Sequence, residues 1–72
     1  MENREREALK RLIRLEGLAG RKAEIYAKLL TDQALAASFF EAAQRHTRRK
    51  QMLEGLLGED QEGGTDDEQV KA

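Results

Sequence analysis

The chain has 72 residues, of which 38% are charged and 39% hydrophobic, and it contains neither cysteine nor proline. A chain of this length makes one small domain, and without cysteine neither a disulfide framework nor a cysteine-based zinc site can stabilise it. The sequence has no apolar run long enough to cross a bilayer, and its charged start lacks the apolar stretch of a signal peptide. We therefore expect a cytoplasmic protein.

Charge is distributed unevenly along the chain. Residues 1–58 hold 12 Lys/Arg against 8 Asp/Glu, whereas residues 59–72 hold 1 against 6. The acidic segment also contains two adjacent glycines and almost no apolar residue. Such a segment cannot bury enough apolar surface to offset the entropy lost on ordering. We predict a disordered acidic tail over residues 59–72.

The first predicted element is a helix over about residues 3–30, with Asn3 as a good N-cap residue. Apolar residues recur there every three or four positions, which is typical of one helical stripe. Gly17 and Gly20 interrupt this helix, and each costs about 1 kcal/mol relative to alanine. They indicate close packing of a neighbouring helix, or alternatively a kink.

The second predicted element is a helix over about residues 33–57, with Thr31 or Asp32 as its N-cap and Gly58 as its stop. Because the link between the two helices is so short, they should be antiparallel neighbours. The alternative is one bent helix. The sequence thus predicts an all-α helical hairpin as the domain of residues 1–58.

Two helices cannot enclose a core between them, so oligomerisation is the remaining route to stability. The simplest closed solution is a homodimer of hairpins that forms a four-helix bundle. The positions predicted for its oligomer core share the inner stripes of the two helices: Leu12, Leu15, Ala19, Ala23, Tyr26, Leu30, Phe39, Ala43, Leu53 and Leu56.

A polar cluster lies within these stripes. If the chain folds back at residues 31–32, residues whose numbers sum to about 63 face each other, which places His46 level with Glu16, and Arg49 one turn further on. One interpretation is a half-buried ion-pair layer that fixes the register of the helices. The other is a metal site that binds iron or zinc through His46 and Glu16, with a twofold axis doubling the ligands and Glu41 as a further candidate ligand if the register slips.

Residue types in 23–26, 39–46 and 52–57 resemble the helical hairpin of ferritin-like and rubrerythrin-like proteins. In that family a Tyr lies late in the first helix. The second helix runs from Phe through small residues and Glu-x-x-His to a Leu-rich end. The resemblance covers about residues 12–57. It implies the same fold, with dimerisation into a four-helix bundle.

The resemblance also implies that most of the family's metal-ligand set is missing. His46 and Arg49 fall where the family has Glu and His, and Ala19 falls where the Glu of the first helix usually stands. If the kinship holds, it implies the fold without the oxidase or iron-storage activity.

Other chemistries have less support in the sequence. Ser38 and His46 are eight residues apart on one helix, more than about 10 Å along its axis, and no third group orients a base.

Basic residues on both helices could contact the phosphates of a nucleic acid, but the acidic tail would compete with the nucleic acid for them. The sequence therefore predicts a non-enzymatic structural or protein-interaction module. Its predicted partner is a second copy of itself, with another protein as a further candidate. The sequence disfavours nucleic acid and predicts no membrane partner and no cofactor, with iron or zinc as the alternative.

Overall fold

A computed structural model of the chain describes the backbone of residues 1–71 and the side chains of residues 1–59. Helix α1 spans Asn3–Leu29 and helix α2 spans Gln33–Lys71. Residues 30–32 are not helical, and the two helices pack against each other. No strand occurs in the described chain. The predicted all-α hairpin is therefore confirmed, and the alternative of one bent helix is wrong.

The two helix starts are capped differently. Asp32 is the N-cap of α2, where its Oδ1 accepts a hydrogen bond from the Leu35 backbone N–H at 2.9 Å. In α1 the cap is Glu2 rather than the predicted Asn3, which is the first helical residue. The Glu5 side chain accepts a hydrogen bond from the Glu2 backbone N–H at 3.2 Å, as expected where a carboxylate reaches back in the first turn.

Helix α2 passes through Gly58, the residue at which the sequence predicts a stop. No glycine in the described chain has a positive φ, so the left-handed conformation that closes many helices is absent at Gly58. The sequence predicts disorder over residues 59–72, and the structure does not show it: the backbone of residues 59–71 continues α2, and residue 72 lies outside the described residues.

Small residues bring the two backbones together along a seam. Gly20 and Ala23 of α1 and Ala43 of α2 are all buried. A Cβ atom added at Gly20 would lie 3.3 Å from the Cβ of His46 and 3.6 Å from the carbonyl oxygen of Ala43. At Gly20 the glycine thus permits close helix packing, as predicted. It also places His46 directly against α1.

The predicted core residues differ in their exposure within one hairpin. Ala23 and Ala43 are buried, and Ala19, Leu30, Phe39 and Leu53 are half-buried. Leu12, Leu15, Tyr26 and Leu56 are between 45% and 53% exposed. The buried hydrophobic residues among residues 1–59 are three: Leu9, Ala23 and Ala43. The hairpin therefore encloses a narrow seam and leaves much of its apolar surface open to solvent.

Neither helix combines the length and the apolar character needed to cross a membrane, over the residues that the structure describes.

Candidate functional site

The polar layer predicted around His46 is present in the structure. His46 Nδ1 lies 2.6 Å from Glu16 Oε1, and Arg49 Nη1 donates a hydrogen bond to Glu16 Oε2 at 3.1 Å. Both oxygens of the one carboxylate on α1 thus have a partner on α2. The two residue numbers 16 and 46 sum to 62, so the register predicted from the short link is confirmed.

The exposed fraction of the side chains in this layer rises from Glu16 through His46 to Arg49. The side chain of Glu16 is 15% exposed, that of His46 is 29% exposed and that of Arg49 is 50% exposed. A half-buried carboxylate loses hydration and needs partners to offset that loss. Glu16 is therefore the central residue of the layer, and Arg49 connects it to solvent.

The pKa of the Glu16 carboxyl is lowered from its ordinary value of 4.5. The hydrogen bond from His46 is the largest cause, and the bond from Arg49 and the charges of both partners act in the same direction. Partial desolvation opposes them by favouring the neutral acid. Because the hydrogen bonds and charges of His46 and Arg49 outweigh this desolvation, the Glu16 side chain is an ionised carboxylate at neutral pH.

The three residues predicted as metal ligands do not come together in one hairpin. Glu16 and His46 are adjacent, but Glu41 is exposed and does not join them. Within the described side chains, no group of three or more His, Asp and Glu residues is arranged to hold a metal ion. A metal at Glu16 would also meet the guanidinium of Arg49, whose positive charge repels a cation.

One flank of the seam carries a groove with basic walls. Two adjoining depressions form it and share Gly17, Arg21 and Lys50. The larger has a volume of about 500 Å³. We call this surface the basic groove and define it by its cationic side chains: Lys10, Arg14 and Arg21 of α1, and Arg48 and Lys50 of α2.

The opposite flank is mainly apolar, although the half-exposed Arg49 shares the helical position of Leu35 and Leu56 on α2. We call it the apolar flank and define it by six residues on the other side of the seam: Leu12, Leu15, Ala19 and Tyr26 of α1, and Leu35 and Leu56 of α2. On α1 these residues are spaced by three, four and seven positions, which keeps them on one side of a helix. The Tyr26 ring packs against Phe39 with 5.9 Å between centroids.

The sequence grouped basic residues of both helices as candidate phosphate contacts. In the structure these residues do not share one surface. Arg14 and Arg21 meet Arg48 and Lys50 in the basic groove. Arg49, which the sequence grouped with them, turns instead to Glu16. The groove itself was not predicted; Gly17 and Gly20, which line it, were the signal that could have indicated it.

Comparison with known proteins gives no relatives: no family model, no curated protein and no solved structure matches the chain.

Proposed function

We propose that the protein is a non-enzymatic, self-associating module in which two hairpins join through their apolar flanks into a four-helix bundle. The observation that carries this proposal is the exposure of the apolar flank. Leu12, Leu15 and Tyr26 on α1 and Leu35 and Leu56 on α2 are each 45–53% exposed in the single hairpin. Large apolar side chains that are exposed together on one flank are typical of protein–protein contact sites.

A second copy fits this surface because the flank has the spacing of helix bundles. Side chains at three- and four-residue intervals interdigitate between helices that cross at about 20°. A symmetric contact places the same flank on both sides, so each hairpin covers the other. Residues half-buried in one hairpin, such as Phe39 and Leu53, would then become core residues of the assembly.

The Glu16–His46–Arg49 layer acts in this proposal as a register device. Sliding one helix by a turn would leave the half-buried carboxylate of Glu16 without its partners, which is costly in a partly desolvated site. Paired polar layers of this kind select one alignment among several apolar ones. The layer thus supports a single arrangement of α1 against α2, and with it a defined apolar flank.

The second candidate function is binding of iron or zinc by a ferritin-like bundle. It is favoured by the adjacency of Glu16 and His46, which a twofold axis would double to four ligands if the two layers approached each other. The bond from Arg49 to Glu16 Oε2 weighs against it, because that oxygen is already used. We therefore place this candidate second.

Native mass spectrometry of the full chain, purified without chelator or affinity tag, separates the two functions. Self-association through the apolar flank predicts a metal-free species of two subunits. Metal bound at a fixed ratio to subunits, and lost in His46→Ala but retained in Glu41→Gln, would favour the ferritin-like function. A monomer over the whole accessible concentration range would contradict self-association.

A further inference from the structure

We propose that the basic groove is a second interaction surface, and that it receives the acidic segment of residues 59–72 from a second copy of the chain. The groove lies on the flank opposite to the apolar one, so the two contacts use different residues. The inference uses the proposed self-association only in requiring a second copy.

The cations of the groove have few partners within the hairpin. Lys10 Nζ lies 3.5 Å from Glu7 Oε2 on its own helix. Across residues 1–59, no carboxylate forms an ion pair with Arg14, Arg21, Arg48 or Lys50. Four unpaired cations around one groove create a local positive potential that favours an anionic occupant.

The carboxylates that line the groove do not cancel this charge. Glu16 is already bonded to His46 and Arg49. Glu24 and Glu54 lie at opposite ends of the groove, in different depressions. The centre, around Gly17, is bordered by Arg21 and Lys50, and the Lys50 side chain passes 3.4–3.6 Å from where a Cβ of Gly17 would be. The centre therefore has two cations, Arg21 and Lys50, while its one carboxylate, Glu16, already has partners.

The chain carries an occupant of matching charge. Residues 59–72 hold six acidic residues and one lysine, against a net charge of +4 in residues 1–58. An acidic peptide therefore fits this groove in charge, and this same chain supplies one at the stoichiometry of one segment per groove.

The direction of α2 favours a second copy as the source of the segment. In the register set by Glu16 and His46, the first residue of α1, Asn3, is level with Glu59. Residues 60–72 therefore follow the point where the hairpin ends, and to reach the groove of their own chain they would have to reverse direction along α2. A segment from a second copy is not bound by this constraint, so the second copy is the source that we propose.

Zero-length carbodiimide cross-linking of the full chain, analysed by mass spectrometry, tests the inference directly. A mixture of equal amounts of ¹⁴N- and ¹⁵N-labelled protein shows whether linked peptides come from one chain or two. We expect cross-links from Lys10 and Lys50 to acidic residues of 59–68, carrying both labels. Lys22, which is exposed but lies outside the groove, is the internal control and should give few.

Charge reversal in the groove gives a second test. The double variant Arg14→Glu and Arg21→Glu should lose these cross-links at Lys50, whereas Lys22→Glu should retain them. Because both arginines are exposed, neither change disturbs the seam. Raising the salt concentration to about 1 M, where the screening length falls to about 3 Å, should also abolish the cross-links while leaving an apolar dimer intact.

Three outcomes would overturn the inference: cross-links at Lys50 no more frequent than at Lys22, cross-links confined to single-label pairs, or cross-links unchanged in the double variant. Each leaves the proposed function testable by itself, because native mass spectrometry of the same double variant reports the dimer. A dimer without groove cross-links would contradict only the proposed binding of residues 59–72 in the groove. A monomeric protein would contradict the proposed self-association.

Discussion

The two flanks of the hairpin are formed by the same two helices, yet they carry opposite chemistry. On one side Leu15 and Tyr26 are half open to solvent, and on the other Arg21 and Lys50 border a groove. The narrow seam between them holds small residues and one carboxylate. In the assembly that we propose, the apolar flank joins the second copy and the charged flank is left free for recognition.

The seam makes this division possible. The two backbones approach closely because the seam holds small residues: Gly20, Ala23 and Ala43. Large apolar side chains therefore lie on the flanks of the hairpin rather than between its helices. A wider seam with leucines at those positions would bury more within one hairpin. Such a hairpin would have less apolar surface to offer a second copy.

The largest expected effect comes from a charge placed on one flank. Leu15→Glu should convert the dimer to a monomer, because it would bury an unpaired carboxylate in the contact between copies. Phe40→Glu, at a side chain of similar exposure (50% against 53%) on the groove flank, should leave the dimer intact. Sedimentation velocity measures both. Dissociation by the two variants alike would remove the distinction between the flanks.

Truncating the aromatic contact at the seam should have the next largest effect. Phe39→Ala removes a half-buried ring that packs on Tyr26, and we expect a loss of about 3 kcal/mol in the free energy of unfolding together with dissociation. Urea denaturation followed by circular dichroism measures the loss. An unchanged midpoint would show that Phe39 supports neither the seam nor the assembly.

The glycines give a graded test of close packing. Gly20→Val should destabilise the hairpin by about 2 kcal/mol, because its Cβ would already press on His46 and the Ala43 carbonyl. Gly17→Ala is the control, because its Cβ would meet only the flexible Lys50 side chain. The higher helix propensity of alanine should then raise the free energy of unfolding by up to about 1 kcal/mol. Equal effects at both glycines, measured by thermal unfolding, would contradict a close seam at Gly20.

The Glu16–His46–Arg49 layer predicts that the stability of the hairpin depends on pH. Since the pKa of Glu16 is lowered on folding, its carboxylate stabilises the hairpin above the unfolded value, near 4.5, and this contribution disappears as the pH falls through the folded pKa. The thermal midpoint of Glu16→Gln should therefore lie below that of the wild type at neutral pH and converge with it in acid. Glu41→Gln, at an exposed position, should show no such pH-dependent difference. A constant difference across the range would contradict the role of the Glu16 charge.

The smallest effect is expected at the helix start. Asp32→Ala removes the carboxylate that caps α2 through the Leu35 N–H and should cost about 1 kcal/mol. Thr31→Ala is the control, since the cap lies one residue later. Denaturant titration that ranks the two in the opposite order would place the cap at Thr31.

Much of the fold could be predicted from the sequence because it depends on local rules. Helical periodicity and the short link define the hairpin and its register, which brings Glu16 to His46. The division of the arginines could not be predicted in this way. Whether Arg49 meets Glu16 or the groove depends on the rotation of α2 about its axis, a tertiary property that local sequence patterns leave open. The extent of α2 past Gly58 likewise depends on backbone conformation that composition leaves open.

The most direct test of the account is an isotope-filtered NOE experiment on a mixture of ¹³C-labelled and unlabelled full-length protein. Contacts between copies through the apolar flank predict intermolecular NOEs from the methyl groups of Leu12 and Leu15 to side chains of the same flank on the second copy. No NOE should link Phe40 to the apolar flank of the second copy. The absence of intermolecular NOEs between the two apolar flanks, at concentrations where the protein is dimeric, would contradict self-association through this flank.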